Sequence, residues 1–344
     1  MGKEPAKVCQ TCGREFYTED DFLRDTSRWR ICDRGNLWFN CTCQSTNMIV
    51  KGNFDWYSPD RFMSRDAGRL FNTLPGLKDL PHLPYSVMEL QQLIRDENVN
   101  AAKLAKASRQ DPIIAANILK IANNLKTGRG MRIDSLEHAI SYIGLNALSD
   151  IILTASVSSF PFKTKIFRSE DFWENSLLCG RVAEALARRY AKGLVPDEVY
   201  IAGALCNIGK VAMAICSPNH ADRIVRDLAD PKNPATWGQA ERRNEAHDHS
   251  VLGEIAATFW GLPDYVMDGA IGHHRLPAGN ADDQEMRLIV ILANQLTHWL
   301  QLNPAMIDQK LMETSGSMLG LSTSDLDKLV EELMPLVREE EKAS

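Results

Sequence analysis

Five of the chain's eight cysteines lie within its first 43 residues, and their spacing suits a metal ion. Cys9 and Cys12 form a C-x-x-C pair, and Gly13 after them permits the tight turn that lets two thiolates face one ion. Cys41 and Cys43 provide a second pair, separated from the first by 28 residues. Four thiolates suit Zn²⁺ in a closed, structural tetrahedral site. We therefore predict a zinc-ribbon-like module with these four cysteines as the ligands.

The fifth cysteine of this group, Cys32, leaves the ligand set open. It either replaces a member of the second pair or packs beneath the hairpin.

Free thiols are the alternative to a metal site. Iron would suit the first pair, but the C-x-C spacing of the second pair suits a rubredoxin-type site less well. A small module with few aliphatic residues is hard to stabilise by apolar burial alone, which favours a bound metal ion.

Aromatic and arginine residues alternate in the same segment, and the set is Arg28, Trp29, Arg30, Arg34 and Trp38. In one interpretation the rings stack nucleic-acid bases beside the arginines. In the other, which we favour, the rings fill a small core beside the metal. The first 75 residues hold 11 Lys and Arg against 10 Asp and Glu, so no strong basic field supports a nucleic-acid partner.

Two kinds of secondary structure would have to position these residues. The stretch SRWRICDRGNLWFNC predicts two strands joined by a turn at DRGN. From about residue 84 onward, apolar residues recur at helical spacing almost throughout. We predict a mainly α fold, in which a helical bundle is preceded by a small β-rich module.

Local signals place several helix boundaries. Asp111 and Pro112 indicate a helix start, because Asp caps free N–H groups and Pro suits the first helical position. Asp134 with Glu137 predicts a capping box for SLEHAISYIGL. The apolar stretch EVYIAGALCNIGKVAMAIC is interpreted as one helical segment. Pro335 is expected to kink or shorten the last helix.

The composition is that of an ordinary soluble globular protein. A chain of 344 residues favours two or three domains. The formal charge of −6 argues against a surface coated by nucleic acid or anionic membrane. The sequence has no run of 18 or more apolar residues and no apolar segment at its N-terminus. We expect a cytoplasmic protein with no membrane partner.

Several motifs of the helical part resemble, in order, those of a known family. The motifs are LPHLPYSVMELQQLI, SRQDPIIAANILKIANN, RIDSLEHAISYIGLNALSDIIL, DFWENSLLCGRVAEALA, AGALCNIGKVAMAI and HDHSVLGEIAATFWGLPDYVMDGAIGHH. Together they resemble the HDOD domain, the HD-related output domain of bacterial signalling proteins. The resemblance covers residues 80–276. It implies an HDOD domain at 80–276 and a C-terminal helical extension at 277–344. Before it, the cysteine cluster predicts the zinc-ribbon-like module at 1–60, and the residues between predict a linker with a short helix at 61–79.

The same resemblance implies kinship with the HD phosphohydrolases, which hold metals with His and Asp side chains and hydrolyse phosphate esters. On their pattern the first His falls at Asn175, the His-Asp pair at Cys206 and Asn207, and the late Asp at Asn294. Four of the seven positions have thus lost the standard ligand. The positions that keep it are His249, His273 and His274.

Three functions follow from these residues. We favour a non-catalytic signalling protein that acts through protein partners, with structural zinc in the N-terminal module and no metal in the helical body. One alternative is a diverged metal-dependent phosphohydrolase, or a sensor that binds a small nucleotide in the vacated pocket. The other is a nucleic-acid-binding regulator that uses the zinc ribbon.

Overall fold

The structure is a computed structural model that describes residues 7–9, 11–17, 22, 24–31, 37–43, 46–49, 63–78, 80–94, 96, 98–125, 133–277 and 284–340. Two compact units are present. The first comprises Met1–Pro59, Pro81–Phe160 and Thr258–Gly261, and the second comprises Asp60–Leu80, Pro161–Ala257 and Leu262–Ser344.

The elements follow the predicted order, strands first and helices afterwards. The strands are β1 (Lys7–Val8), β2 (Glu15–Phe16), β3 (Thr26–Ile31), β4 (Leu37–Cys41) and β5 (Thr46–Ile49). The helices are α1 (Arg65–Thr73), α2 (Tyr85–Ile94), α3 (Ala101–Ser108), α4 (Pro112–Leu125), α5 (Leu136–Ile143), α6 (Leu145–Ser158), α7 (Ser169–Tyr190), α8 (Pro196–Leu205), α9 (Ile208–Cys216), α10 (Pro218–Leu228), α11 (Trp237–Arg243), α12 (His249–Trp260), α13 (Asp264–Gly272), α14 (Glu285–Leu300), a 3₁₀ turn (Pro304–Met306), α15 (Gln309–Met318) and α16 (Thr323–Glu340). The predicted mainly α fold with a small β-rich start is confirmed.

The strands form two small antiparallel sheets in the first unit. β1 pairs with β2, and β3, β4 and β5 form a three-stranded sheet in that order. Phe16, Phe22 and Phe39 are at most 1% exposed, and their rings meet edge to face with centroids 4.7–5.9 Å apart. Three rings make a very small core, so this module has little apolar burial to stabilise it.

Helices α2 to α6 belong to the same unit and pack around a larger apolar core. Leu104, Ile118 and Leu148 are fully buried there. Trp260 closes the core, because its ring lies 5.1 Å from that of Phe160 and its indole N–H donates to the carbonyl oxygen of Pro81 at 2.7 Å. The indole is thus buried with its polar atom satisfied.

The second unit is built around α14. Residues 288–298 of this helix are buried without interruption, so the helix is surrounded by others on every side. Its core neighbours include residues of α7, α8, α15 and α16. A mostly apolar helix suits such a central position, and it presents the polar side chains of Asn294 and His298 to the interior.

The structure corrects two predicted features of helices, the cap of α5 and the effect of Pro335 on α16. The cap of α5 is Ser135, whose side chain accepts the N–H of His138, so the predicted Asp134 capping box is one residue early. Ser135 has the extended backbone of a cap residue and takes the role because the helix starts at Leu136. Helix α16 continues through Pro335 to Glu340, so the proline does not shorten it. Pro335 is exposed, and water can satisfy the carbonyl group that loses its partner.

The stretch EVYIAGALCNIGKVAMAIC is two helices rather than one. α8 ends at Leu205 and α9 begins at Ile208, so the chain breaks at Cys206 and Asn207. Among the described residues one stretch, Pro196–Cys216, is long and apolar enough to cross a membrane. Because 89% of its most apolar window is buried in the fold, it has the character of core helices.

The predictions made for one set of N-terminal side chains lie outside the described part of the chain. The set is Arg28, Trp29, Arg30, Cys32, Arg34 and Trp38.

Candidate functional site

The four predicted zinc ligands come together. The sulfurs of Cys9 and Cys43 are 3.7 Å apart, as are those of Cys12 and Cys41, and all four lie within 4.8 Å of one another. Zn–S bonds of about 2.3 Å place the sulfurs of a tetrahedral site roughly 3.8 Å apart. The arrangement therefore fits a single tetrahedral metal ion.

Two backbone turns present these cysteines. In the first, the N–H of Gly13 donates to the carbonyl oxygen of Cys9 at 2.9 Å, and Gly13 has a φ of +71°, which favours glycine. In the second, β4 ends at Cys41, and the N–H of Thr42 donates to the carbonyl oxygen of Asp25 at 3.1 Å. Each turn thus delivers one buried cysteine and one exposed cysteine to the centre.

The three histidines of the helical body also meet. His249 is the first residue of α12, and His273 and His274 follow the end of α13. The Nε2 atom of His249 lies 3.1 Å from Nε2 of His273 and 2.9 Å from Nε2 of His274. The approach of α9 to α12 fixes this position, since Gly209 lies against the backbone of His249.

Hydrogen bonds assign the protons of two of these rings. Nδ1 of His249 lies 2.7 Å from Oε1 of the buried Glu241, and Nδ1 of His273 lies 3.1 Å from the carbonyl oxygens of Gly269 and Ala270. Each Nδ1 therefore carries the proton and donates it, because the carbonyl oxygens only accept and Oε1 of Glu241 already accepts the backbone N–H of His249 and the indole N–H of Trp237. In the neutral rings the two Nε2 lone pairs then point at each other.

Facing lone pairs at 3.1 Å require a proton or a cation between them. His274 can donate its Nε2 proton to Nε2 of His249. No described residue donates a proton to Nε2 of His273. Bonds of about 2.1 Å to one ion, at right angles, place two nitrogens roughly 3.0 Å apart. The separations of His249 from His273 and from His274 therefore suit nitrogens bound to one divalent metal ion, and all three rings offer a nitrogen within 4.8 Å of the others. Glu241 supplies the outer-shell carboxylate that orients His249.

Burial controls the ionisation of this cluster. It lowers the pKa of His249, His273 and His274 well below the usual value, and the positive charge of Lys210 acts in the same direction. Burial raises the pKa of the Glu241 carboxyl to about 7. Three histidines held neutral are competent nitrogen ligands, because only the neutral ring offers a lone pair.

The positions without a standard ligand form neutral contacts. Nδ2 of Asn207 donates to Oδ1 of Asn294 at 3.0 Å and also lies 3.3 Å from the sulfur of Cys206. Asn294 lines the same cavity of about 320 Å³ as His249 and His274. Asn175 stands apart from them, and its Nδ2 donates to Oε1 of Gln301 at 2.7 Å.

A comparison with protein families identifies the chain's relatives. The family model described as the HDOD domain matches residues 80–276, which is more than half of the chain. The chain belongs to the HDOD family. The family resemblance stated from the sequence motifs is thus confirmed.

Solved structures share the fold of this HDOD protein. An HDOD domain protein of unknown function from Geobacter sulfurreducens is 24% identical with a TM-score of 0.64, and the match covers 79% of this chain and 94% of that one. A candidate phosphohydrolase from Shewanella amazonensis SB2B is 21% identical with a TM-score of 0.58 and coverages of 77% and 95%. A candidate signal transduction protein from Marinobacter aquaeolei VT8 is 20% identical with a TM-score of 0.58 and coverages of 82% and 63%.

A curated relative is longer than this HDOD protein. An uncharacterized protein of Treponema pallidum (strain Nichols) is 24% identical over 233 residues, which are 65% of this chain and 43% of that protein. The match thus spans less than half of the relative's length.

Sequence reasoning missed three side chains of the HDOD pocket, which are Lys210, Glu241 and His298. Lys210 and His298 line the cavities beside the histidines, and Glu241 contacts His249. Lys210 did carry a signal, since it is the single charge in the apolar segment IGKVAMAIC. Glu241 lies in a short polar helix where a carboxylate is unremarkable, and nothing in the sequence distinguishes it.

Proposed function

We propose that this HDOD protein is a non-catalytic bacterial signal-transduction protein that acts in the cytoplasm through contacts with protein partners. One observation carries the proposal. Asn207 and Asn294, at positions where the HD enzymes place aspartates, donate and accept a single hydrogen bond of 3.0 Å between neutral amides. A phosphohydrolase site would need anionic oxygens there to balance its metal ions.

The charge of the pocket supports the same proposal. Lys210 is 5% exposed and lines the cavity that holds His249 and Asn294. An ammonium group near two metal ions repels both of them. Glu241 is the nearby buried carboxylate, and its Oε1 atom is engaged by His249 and by the indole N–H of Trp237 at 3.0 Å.

The N-terminal module completes the proposal. We propose that Cys9, Cys12, Cys41 and Cys43 hold one structural Zn²⁺, and that the module at 1–60 contacts a partner distinct from that of the HDOD domain at 80–276 and its extension at 277–344. The fit of four sulfurs to a tetrahedron supports zinc. The name of the Marinobacter protein supports a signalling role by likeness of fold only.

Affinity capture of the tagged full chain from its own host, with quantitative mass spectrometry, tests the signalling role. We expect to capture a partner protein whose enrichment falls at least about fivefold when the bait carries Cys12→Ser. Its enrichment should stay unchanged with the matched variant Cys216→Ser. The purified partner should also bind the purified chain. If every captured protein fails to bind in purified form, the proposal is wrong.

A second candidate is a diverged metal-dependent phosphohydrolase, or a nucleotide sensor that keeps one metal ion. The facing Nε2 atoms of His249 and His273 favour it, because they fit a cation. The assay is hydrolysis of bis-p-nitrophenyl phosphate by protein loaded with Mn²⁺ or Fe²⁺. Hydrolysis that is lost in His273→Ala and retained in His138→Ala, an exposed control, would establish the enzyme and refute the non-catalytic role.

A further inference from the structure

A second cavity of the HDOD protein, of about 240 Å³, adjoins the one that holds the histidines. It opens between the start of α7, the end of α14 and the 3₁₀ turn. Lys210, Trp237 and His298 line both cavities. The proposed signalling role assigns no ligand to this space.

The inner end of the cavity carries two buried polar groups that form no side-chain hydrogen bond or ion pair with the described residues. Lys210 is 5% exposed and has no carboxylate oxygen within 4.0 Å among the described residues. Its ammonium nitrogen lies 4.3 Å from the ring centre of Trp237. His298 is 7% exposed, and neither of its ring nitrogens forms a hydrogen bond with the part of the chain that the structure describes.

These groups offer one positive charge and one neutral donor. Burial lowers the pKa of Lys210 to about 8, so the amine is mostly charged near neutral pH. Burial, with the charge of Lys210 second, lowers the pKa of His298 to about 3, so the ring is neutral. Glu241 attracts the ammonium group at longer range but forms no ion pair with it, and the ring of Trp237 offsets only part of the cost of burying the charge.

The remaining walls are mostly apolar. Phe167 and Phe172 stand edge to face with centroids 6.0 Å apart, and the ring of Phe167 lies 5.4 Å from that of Trp237. Val225 and Leu228 of α10 add aliphatic surface. Three aromatic rings around a cavity suit a flat or branched apolar body.

Charge and size restrict the ligand. One interior cation balances one negative charge, so a dianion such as a phosphate monoester would bring one uncompensated charge into the cavity. Arg168 and Asp171 add little net charge, because both are 65% exposed and lie 4.0 Å apart. Drug-sized ligands occupy cavities of roughly 300–1,000 Å³, so this one suits a smaller molecule.

We propose that this cavity binds a small apolar or aromatic carboxylic acid, whose carboxylate meets Lys210 and His298. Its apolar body packs against Phe167, Phe172 and Trp237. The amides of Asn175 and Gln301, hydrogen-bonded to each other at 2.7 Å, border the site. The protein would thereby respond to a metabolite as well as to protein partners.

Calorimetric titration of the full chain tests the site, with benzoate as the probe. We expect saturable binding of one benzoate per chain. Benzyl alcohol, which has the same ring without the charge, should bind at least about tenfold more weakly, and inorganic phosphate should not compete. Lys210→Met, which keeps the length of the side chain, should weaken benzoate by at least about tenfold. The exposed Lys310→Met should leave its affinity within about twofold.

Three results would overturn the proposal. They are an absence of benzoate binding up to about 10 mM, equal affinity in Lys210→Met, and displacement of benzoate by phosphate. If Lys210→Met does not fold, the variant Ala305→Trp tests the site instead. Ala305 is an exposed residue that lines the cavity, and a bulky side chain there should obstruct it. A folded Ala305→Trp chain that binds benzoate at full affinity would also refute the site.

Discussion

The four-cysteine cluster and the three-histidine cluster gather their ligand atoms to similar distances by different means. Sulfurs 3.7 Å apart are presented by two turns, and the nearby core consists of three phenylalanine rings. Nitrogens 2.9–3.1 Å apart are presented by packed helices, with His249 and His273 at most 1% exposed. With the zinc ion proposed above, the first arrangement would rely on the ion to hold its parts together, whereas the second is held by helix packing.

The difference predicts how each cluster responds to damage. Removal of the ion should dismantle the cysteine cluster, because its turns have few other contacts. The histidine cluster should keep its geometry without an ion, and only a change that separates the helices should disperse it. Two substitutions test this contrast, and a third tests the burial of His298 beside the histidine cluster.

Cys12→Ser should have the largest effect. Structural zinc contributes roughly 10 kcal/mol or more to the folding of small modules, so loss of a ligand should release the metal and unfold residues 1–60. Elemental mass spectrometry should show zinc falling from about one ion per chain to nearly none. Limited proteolysis should cut within residues 1–60 and leave the helical body intact. Cys216→Ser is the matched control, and collapse of the whole chain in Cys12→Ser would refute the contrast.

Gly209→Ala should destabilise the helical body. The new Cβ would overlap the carbonyl oxygen of His249 and lie 2.5 Å from the backbone nitrogen of Gly253. Both neighbours are backbone atoms, so α9 and α12 must separate, at a cost of about 3 kcal/mol in the free energy of unfolding. Urea unfolding followed by circular dichroism measures the loss.

Gly238→Ala is the control for this substitution. A Cβ on Gly238 meets its nearest neighbour, the side chain of Arg242, at 3.7 Å. It should change the free energy of unfolding by about 1 kcal/mol or less. If Gly209→Ala is as stable as the control, helix packing is not what holds His249 in place.

His298→Gln should have the smallest effect, and the effect should depend on pH. Burial lowers the pKa of His298 to about 3 in the folded state, against 6.5 for an unperturbed histidine. The contribution of neutral His298 to the free energy of unfolding is complete above pH 6.5 and is lost progressively as the pH falls towards 3. Between pH 6.5 and 5.5 the wild-type free energy of unfolding should therefore fall by about 1 kcal/mol more than that of the variant. Equal slopes would show that His298 protonates freely in the folded state, and the exposed His138→Gln should leave the slope unchanged.

Much of the fold could be predicted because helical periodicity survives wherever one face is polar. The start of α4 is an example, since Oδ1 of Asp111 accepts the N–H of Ile114 at 3.2 Å as the Asp-Pro signal predicted. The break at Cys206 and Asn207 could not be predicted. α8 and α9 are buried nearly all round, so the apolar pattern continues unchanged across the break.

The candidate sites divide in the same way. The cysteine ligands were predictable because two short motifs bring their side chains together by local turns alone. The hydrogen bond between His249 and Glu241 was not predictable, because it depends on how α11 turns towards α12. The placement of Lys210 and His298 at one cavity likewise arises from packing between helices, which no local pattern encodes.

The hydrogen bond between Asn207 and Asn294 has an evolutionary consequence. Each asparagine codon is one base change from an aspartate codon. A first change at Asn294 leaves the Asn207 amide donating to a carboxylate, so the bond of 3.0 Å survives. A second change at Asn207 brings two carboxylates into contact, and they repel each other unless a proton or a cation lies between them. The step from two neutral amides to a pair of carboxylates is therefore two base changes long, and the hydrogen bond is kept at its midpoint.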